Sequence, residues 1–355
     1  MGNCCSSSEP IPLNGPYFEI PDKIESKSIN IKCFNLISVL GQGSFGKVLL
    51  MEKKDTQKIY AIKTIQKQKL YNTKKKRHAL MERQVLANVI SPFVVKLHYA
   101  FQNSEKLYFV LDFMQGGDLY YHLSKYKCFT EEMVRFYAAE VVLALNDLHS
   151  CNVLYRDLKP ENILMDSQGH VKLADFNLSK NIAENELTST MCGTPEYISP
   201  EILKGSPHGK EVDFWGLGCV IYEMIEGKSP FYASNYKKLF SKIINGSFNF
   251  SDKFSVAAMD IISQLLTVQV KSRLSSIEKI KAHDFFRGID WELAYMKKLI
   301  PPVVPVIEGR NDTRYFNPPI GIEASPRMNW DLYNKEGNSF RGFTYEDPNM
   351  TNEII

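Results

Sequence analysis

The sequence predicts an α+β protein of two lobes, a small β-rich lobe followed by a larger helical lobe. Between residues 34 and 113, short apolar stretches of alternating polarity are bounded by glycine and polar residues, as is typical of strands. After Gly116-Gly117, apolar residues recur at helical spacing over longer segments. Strands that precede helices in this way indicate two packed units rather than a mixed α/β sheet.

In the first lobe the pattern predicts five strands and one helix. The strands are expected at residues 34–40, 47–53, 58–65, 97–102 and 107–113, and the helix at 74–87. In the second lobe, residues 131–149 place one apolar face at helical spacing, and residues 212–226 form a mostly apolar helix. From Trp291 the chain is rich in proline and irregular, which predicts a surface tail.

Composition narrows the function classes. The net charge of the 355 residues is +3 and no large basic stretch stands out, which argues against nucleic-acid binding. The seven cysteines are odd in number and scattered without a Cys-x-x-Cys pair, so we expect free thiols in a reducing cytosolic compartment. We therefore expect a flexible segment at 1–33, one catalytic domain at 34–286 and a tail at 287–355.

A glycine-rich segment lies between the first two predicted strands. Its residues, which fit G-x-G-x-x-G-x-V, are Gly41, Gln42, Gly43, Ser44, Phe45, Gly46, Lys47 and Val48. Small residues there let backbone N–H groups approach phosphates closely. A plain hairpin turn could also use these glycines. A dinucleotide fingerprint is disfavoured, because that motif opens a helix and here a strand follows.

Two charged residues suit a phosphate contact near this loop. Lys63 lies in the apolar strand that contains Ala61-Ile62-Lys63, and Glu82 lies inside the amphipathic helix. Each residue alone would be expected to face solvent. Together with the glycine loop they predict an ion pair that holds the lysine on ATP phosphates.

A third string decides the family. Tyr155-Arg156-Asp157-Leu158-Lys159-Pro160-Glu161-Asn162 fits H-R-D-L-x-x-x-N with Tyr in place of His. Asp175-Phe176-Asn177 and Ser199-Pro200-Glu201 follow in the order expected for D-F-G and A-P-E. Over residues 34 to about 286 the sequence resembles protein kinases, which implies the two-lobed protein kinase fold and ATP-dependent transfer of a phosphoryl group.

The resemblance assigns roles to matching positions. Asp157 would accept the proton of the substrate hydroxyl, Lys159 would lie by the γ-phosphate, and Lys63, held by Glu82, would anchor the α- and β-phosphates. Asn162 and Asp175 are hard oxygen ligands suited to Mg²⁺. Besides the glycine segment and Lys63, the nucleotide-binding residues implied are Ala61, Leu111, Asp112, Phe113, Met114, Asp118, Glu161, Leu164, Ala174 and Phe316.

Further features are similar to the AGC group of serine/threonine kinases. They are Tyr155 in the catalytic loop, the segment Cys192-Gly193-Thr194-Pro195-Glu196-Tyr197, and a long tail. In the tail, Asp312-Thr313 with Phe316 resembles the stretch that crosses the nucleotide pocket. Ser325-Pro326 resembles the turn motif, and the run from Phe340 to Tyr345 fits F-x-x-F-[ST]-Y.

This resemblance implies regulation and substrate preference. Phosphates are expected on Thr190, Ser325 and Thr344, and an upstream kinase is expected to modify Thr190. The cations that would receive the Thr190 phosphate are Arg156, Lys180 and His78. Asp118, Glu161 and Glu223 would bind arginines that precede the acceptor Ser or Thr; the alternative is three ordinary surface acids.

Two departures leave a competing hypothesis open. Asn177 replaces the glycine of D-F-G, and Ser199 replaces the alanine of A-P-E. Asn tolerates left-handed backbone angles better than other non-glycine residues, so we expect it to be accommodated. The alternative is a catalytically silent, membrane-tethered scaffold. Such a scaffold would need none of the charged residues at the catalytic positions. A further alternative, a module that only binds nucleotide, would leave Asp157 unexplained.

The first residues carry a lipidation signal. Met1-Gly2-Asn3-Cys4-Cys5-Ser6 matches M-G-x-x-x-[ST], with Gly2 as the myristoylation site. One myristoyl chain binds membranes only marginally, with a constant of about 10⁴ M⁻¹, so palmitate on Cys4 or Cys5 would supply the second anchor. We expect a cytoplasmic, membrane-associated protein.

The tail is expected to contact the helix that contains Glu82. The first turn of this helix holds Lys74, Lys75, Lys76 and Arg77, which oppose the helix dipole. We expect Phe340 and Phe343 to occupy an apolar groove beside the helix, with a phosphate on Thr344 near these cations. Anionic lipid headgroups are an equally weighted alternative for the lysine run.

Overall fold

The computed structural model describes residues 29–43, 46–70, 73–182, 187–188, 190, 192–316 and 340–349. The two-lobed α+β architecture is confirmed. The first lobe contains β1 (Phe34–Gln42), β2 (Lys47–Lys53), β3 (Ile59–Gln66), α1 (Thr73–Asn88), β4 (Leu97–Gln102) and β5 (Lys106–Leu111). These strands form one antiparallel sheet in the order β1-β2-β3-β5-β4.

The second lobe is mainly helical. Its strands are β6 (Gly117–Asp118), β7 (Val153–Leu154), β8 (Ile163–Met165), β9 (Val171–Leu173) and β10 (Lys180–Asn181). Its helices are α2 (Leu119–Tyr126), α3 (Glu131–Ser150), α4 (Pro200–Leu203), α5 (Glu211–Glu226), α6 (Tyr236–Asn245), α7 (Val256–Leu265), α8 (Ile277–Lys281) and α9 (Trp291–Tyr295). Helix α5 is buried on nearly every side, which explains why its sequence is apolar all round.

The alternation along β3 points Lys63 into the space between the lobes. Tyr60, Ile62 and Thr64 are buried on one face of the sheet, while Ala61 and Lys63 lie on the opposite, partly exposed face. Tyr60 and Ile62 pack in an apolar cluster that also contains Phe34 and Val110. The strand therefore presents its only charged side chain to the cleft.

Helix α1 turns Glu82 toward the same space. Ala79, Glu82, Val85, Leu86 and Val89 are buried, and their spacing of three or four residues forms one face of the helix and the turn that follows it. Glu82 is therefore a carboxylate on an otherwise apolar face. That placement requires a cationic partner, since an unpaired buried charge is costly.

The second part of the tail adds a strand to the first lobe. Strand β11 (Tyr345–Glu346) pairs antiparallel with β4, so the sheet has the order β1-β2-β3-β5-β4-β11. This strand was not predicted, because two residues carry no periodicity. Two further expectations need correction. Strand β5 ends at Leu111 rather than residue 113, and the tail begins with the short helix α9 rather than an irregular segment.

No helix in the described part of the chain is long and apolar enough to span a membrane. Ser44 and Phe45 of the glycine segment, Ser325, and the acylation signal with Gly2, Cys4 and Cys5 lie outside the described residues.

Candidate active site

The predicted ion pair forms in the cleft between the lobes. Lys63 Nζ lies 2.6 Å from Glu82 Oε1 and 2.9 Å from Asp175 Oδ1. Glu82 is 1% exposed. Burial by itself lowers the pKa of Lys63, but the carboxylates of Asp175 and Glu82 raise this pKa above its usual value. The lysine thus stays charged at the point where the two lobes and α1 meet.

A second group of polar side chains surrounds Asp157. Asn162 Nδ2 donates to Asp157 Oδ2 at 2.8 Å, and the Thr194 hydroxyl donates to Asp157 Oδ1 at 2.8 Å. Lys159 Nζ lies 2.7 Å from Thr194 Oγ1 and 3.1 Å from Asp157 Oδ2. The carboxylate is therefore held in place by three neighbours, which is the arrangement that a base acting on a hydroxyl requires.

The loop that carries Asp157 is positioned by a buried acid that the sequence analysis missed. Asp213 on α5 accepts from the backbone N–H groups of Tyr155 at 3.0 Å and Arg156 at 2.7 Å. It also lies 2.7 Å from His149 Nε2. An acid in an otherwise apolar helical stretch was the available signal, because a buried charge must have partners.

A second missed pair holds the end of the activation segment. Arg273 donates to both oxygens of Glu201, at 2.7 and 2.9 Å, and both residues are buried. Bidentate pairing of this kind fixes geometry as well as charge. Glu201 was recognised as part of a motif, whereas Arg273 lies 72 residues further along the chain and carries no local signal.

The two expected metal ligands lie beside each other. The backbone N–H of Ala174, the residue before Asp175, donates to the carbonyl oxygen of Asn162 at 2.9 Å. Burial raises the pKa of Asp175, but Lys63 outweighs it and keeps this pKa below its usual value. Asn162 uses its amide nitrogen on Asp157, which leaves its amide oxygen for a cation. An ionised carboxylate and an amide oxygen fit a hard divalent cation such as Mg²⁺.

The described glycines of the glycine-rich segment have two different roles. The Gly43 N–H donates to Gly46 O at 2.9 Å and closes the turn. A Cβ on Gly46 would lie 1.6 Å from Thr64 O, so β3 excludes any side chain there. A Cβ on Gly41 or Gly43 would meet nothing within 4 Å. The backbone at these two positions is therefore open to a ligand.

The residues expected around the nucleotide base lie in the small-lobe sheet, in the large lobe and on the link between them. Ala61 pairs with Leu111 across the sheet, and the Phe113 ring stacks on Phe316 of the tail with centroids 5.7 Å apart. Lys47 and Val48 begin β2, Leu164 lies in β8 and Ala174 precedes Asp175, while the Met114 side chain is buried in the core. The Asp112 carboxylate is bound to other protein groups, His98 at 2.8 Å and Lys172 at 2.7 Å.

The three acids expected to bind arginines lie near one another. Asp118 caps α2 by accepting from Tyr121 N at 2.7 Å, and Glu161 is exposed. Burial, followed by the nearby charges of Glu161 and Glu196, raises the pKa of Glu223 to about 7, although Tyr197 donates to it at 2.5 Å. Glu196 is thus a fourth acid of this cluster. The sequence did not predict this role, although Glu196 lies within the recognised activation-segment motif.

Thr190, the expected phosphorylation site, lies beside Thr188. Its Oγ1 is 3.4 Å from Thr188 Oγ1. Arg156 is only 9% exposed, and its Nη1 has no hydrogen-bond partner among the described residues. Lys180 lies in β10, opposite Leu154. The third expected cation, His78, lies on α1, and this helix packs against β10.

His208 also lies in this region, although the sequence did not predict it there. Its backbone pairs with that of Thr188 in both directions, at 2.9 and 2.8 Å. Burial lowers the pKa of His208, and the nearby charges of Arg156 and Lys180 lower it further. Directly opposed residues in an antiparallel bridge share a face, so the imidazole lies on the side of Thr188.

The expectation for Asn177 was wrong in its physical reason. The residue with left-handed backbone angles is Asp175, with a φ of 55°, and Asn177 is not among the residues of positive φ. Asparagine's tolerance of that conformation is therefore not used here. The Asn177 N–H is 3.5 Å from Asp175 Oδ1, so the backbone at position 177 faces the carboxylate.

The predicted groove for the tail is confirmed. Phe343 is fully buried and meets Phe109 edge-on at 5.1 Å, and the Phe340 ring has the ammonium of Lys76 at 6.0 Å. Arg83 on α1 donates to the carbonyl oxygens of Phe343 at 3.2 Å and Thr344 at 2.9 Å. Thr344 itself is exposed. A phosphate on Thr344 stays a prediction.

Comparisons with known proteins agree with this geometry. A family model described as the protein kinase domain matches residues 34–286. The chain is 42% identical over 326 residues to a RAC family serine/threonine-protein kinase homolog of Dictyostelium discoideum, which covers 90% of this chain and 73% of that protein. It is 47% identical over 298 residues to the serine/threonine-protein kinase Sgk1 of Danio rerio. That alignment covers 82% of this chain and 69% of the relative. The identity to Sgk1 of Homo sapiens is 44% over 329 residues, and this alignment covers 89% of this chain and 76% of the relative.

Proposed function

This chain belongs to the protein kinase family as an ATP-dependent serine/threonine kinase of the AGC group, and from this premise we propose that it phosphorylates protein segments with arginines before the acceptor. The observation that carries the proposal is the acidic cluster of Asp118, Glu161, Glu196 and Glu223 beside the catalytic loop. Burial first, and after it the charge of the neighbouring acids, raises the pKa of the two more buried members, Asp118 and Glu223. A guanidinium that binds there relieves the repulsion, whereas an acidic substrate would increase it.

The residues of the cleft supply the chemistry that phosphoryl transfer needs. Asp157 orients the acceptor hydroxyl and accepts its proton, while Lys159 neutralises charge on the phosphoryl group. Lys63, held by Glu82, binds the remaining phosphates. Asn162 and Asp175 would hold a divalent cation, in our proposal Mg²⁺, which would supply positive charge for the phosphate oxygens.

Phosphorylation of Thr190 is the proposed activating step. The half-buried Thr190 side chain contacts Thr188, whose backbone pairs with that of His208, and His208 lies near the charges of Arg156 and Lys180. Among the described residues, Arg156 Nη1 has no hydrogen-bond partner. A phosphate carries about −1.5 to −2 charges near pH 7 and forms charge-assisted hydrogen bonds with such groups. These bonds would order the activation segment around Thr194, which contacts Asp157.

We also propose that the protein is tethered to a membrane. The support comes from the sequence alone, in which Gly2 meets the myristoylation pattern and Cys4 and Cys5 follow directly. A second acyl chain converts marginal binding into stable anchoring.

An oriented peptide array tests the substrate proposal. The purified protein, incubated with Mg-ATP, should prefer arginine two, three or more residues before Ser or Thr. Asp157→Ala should lower transfer by about 10²-fold to 10⁴-fold, and Glu223→Gln should weaken the preference for one of the arginines. Preference for acidic or proline-containing sequences would contradict the proposal, as would an Arg preference that Glu223→Gln leaves intact.

The same array should depend on pH. Because the pKa of Glu223 is raised to about 7, this residue loses its charge as the pH falls through that value. Arg discrimination at the position that Glu223 reads should therefore be weaker at about pH 6 than at about pH 8. Glu223→Gln should remove this pH dependence while leaving the remaining Arg preferences in place.

A further inference from the structure

The chain continues beyond the buried Phe343 along the edge of the small-lobe sheet. Tyr345 pairs with Ala100 and Glu346 with Tyr99, and the Asp347 N–H then donates to His98 O at 2.9 Å. Three consecutive residues of the tail therefore follow β4 in fixed register. Glu346 is exposed, whereas Asp347 is 3% exposed. A buried carboxylate at the end of a short edge strand needs a partner of opposite charge.

That partner is the ammonium of Lys96, which lies 2.6 Å from Asp347 Oδ2. Burial raises the pKa of Asp347, but the bond to Lys96 and the backbone N–H of Asn349 outweigh burial and keep this pKa below its usual value. Lys96 immediately precedes β4, and His98 is its second residue. The tail is thus bound both to the ammonium of Lys96 and to the backbone of His98.

The same two residues hold the link between the lobes. Asp112 directly follows β5, and its carboxylate accepts from Lys96 N at 3.2 Å and lies 2.8 Å from His98 Nε2. The other contact of this carboxylate crosses to the large lobe, where Lys172 Nζ on β9 lies 2.7 Å away. Asp112 precedes Phe113, whose ring stacks on Phe316. A continuous set of contacts joins the tail, the small lobe, the link and the large lobe.

We propose that Asp347 is a positioning residue for ATP binding. Through Lys96 and His98 it holds Asp112, and with it the backbone of residues 112–114 that borders the nucleotide base. The tail would then act at two places: Phe343 supports α1 and the Lys63–Glu82 pair, and Asp347 supports the link. Asp347 contacts the ammonium of Lys96 and the backbone oxygen of His98, and the half-buried Asp112 contacts the backbone N–H of Lys96 and the imidazole of His98. A displacement of the tail therefore shifts both residues that hold Asp112.

The two contributions predict different kinetic effects. Asp347→Asn keeps the shape of the residue but removes the charge that binds Lys96. We expect KM for ATP and Kd for a fluorescent ATP analogue to rise about three- to tenfold, with kcat at saturating ATP within about twofold of the unaltered protein. Glu346→Gln, one residue earlier on the same strand, is the matched control and should change neither quantity.

Two further variants keep the test decisive. Lys96→Met removes the other member of the ion pair and should reproduce the effect on ATP binding, and adding Asp347→Asn to it should cause little further loss. An Asp347→Asn protein that binds ATP like Glu346→Gln would overturn the proposal. So would a fall in kcat with an unchanged KM for ATP, because that pattern would mean that Asp347 only helps the tail to remain bound near α1.

Discussion

Among single residues, two in the active site have backbone angles that side chains disfavour. Arg156 has a φ of 66° and Asp175 a φ of 55°. Such conformations cost about 1–3 kcal/mol and persist where surrounding contacts outweigh the strain. Asp213 binds the backbone N–H of Arg156 at 2.7 Å, and Lys63 binds the carboxylate of Asp175. Both strained residues are thus held by charged groups on other elements.

Thr190 is the residue on which the proposed activation depends. Thr190→Ala should lower kcat on a peptide substrate about tenfold or more, since one phosphate forms several charge-assisted hydrogen bonds. Thr190→Ser, which can still be phosphorylated, should retain most of the activity. Phosphatase treatment should inactivate the unaltered protein and leave Thr190→Ala unchanged. Full activity of Thr190→Ala would contradict the switch, and mass spectrometry of the purified protein would show whether the site carries phosphate.

Among the elements, the edge strand β4 is covered by the tail rather than exposed. Strand β11 contributes only two residues, and Gln102 at the end of β4 extends the pairing with its side chain. Its amide donates to Phe340 O at 2.9 Å and accepts from Phe340 N at 3.0 Å. Backbone pairing therefore fixes the register of the tail, while the buried ring of Phe343 supplies most of the stabilisation.

Two variants separate the docking of the tail around Phe343 from any role of a phosphate on Thr344. Phe343→Ala removes a fully buried ring at a cost of about 3–5 kcal/mol, so the tail should dissociate and α1 should lose support. Phosphorylation of a soluble peptide, measured without membranes, should then fall strongly. Thr344→Ala should lower activity only if its phosphate binds the cations near α1.

Arg341→Ala is the matched control for both variants, because Arg341 is exposed within the same motif. Loss of activity in Phe343→Ala alone would keep the groove and remove the phosphate role. Equal activity in Phe343→Ala and Arg341→Ala would contradict a function for the docked tail.

For the whole molecule, the tail contacts both lobes. Lys297 binds Asp166 of the large lobe at 3.0 Å, and Arg310 binds Glu52 of the small lobe at 2.7 Å. The Arg310–Glu52 pair involves an exposed arginine, and surface pairs contribute about 0–1 kcal/mol. The ion pairs therefore set where the tail runs, while the aromatic contacts of Phe316 and Phe343 contribute more to holding it.

The location of the whole molecule depends on its first residues. Gly2→Ala should move the protein from the membrane fraction to the soluble fraction, because a myristoyl chain usually precedes palmitoylation at such sites. Replacing Cys4 and Cys5 together by Ser should leave marginal, reversible binding, with a constant of about 10⁴ M⁻¹ for liposomes. Kinase activity on a soluble peptide should be unchanged in both variants. Continued membrane association of Gly2→Ala would mean that another anchor exists.

Much of the fold and of the site was accessible from the sequence, for a local reason. Strands and helices leave periodic patterns, so the first-lobe strands and α1 were placed within a few residues. Lys63, Glu82, Asp157, Asn162 and Asp175 each stand in a short motif, and the structure brings them together. The resemblance to AGC kinases led to Asp118, Glu161 and Glu223 of the acidic cluster, but not to its fourth member Glu196.

The sequence by itself determined the two-lobed architecture, the kinase chemistry and the groove for Phe343, because spacing and residue type encode each of them locally. The tertiary structure alone decided which distant groups meet. It brought Asp213 to the catalytic loop, Arg273 to Glu201, His208 to Thr188, and Asp347 to Lys96 beside Asp112. Pairing between groups far apart in the chain follows from how elements pack, and a buried charge announces only that it needs a partner.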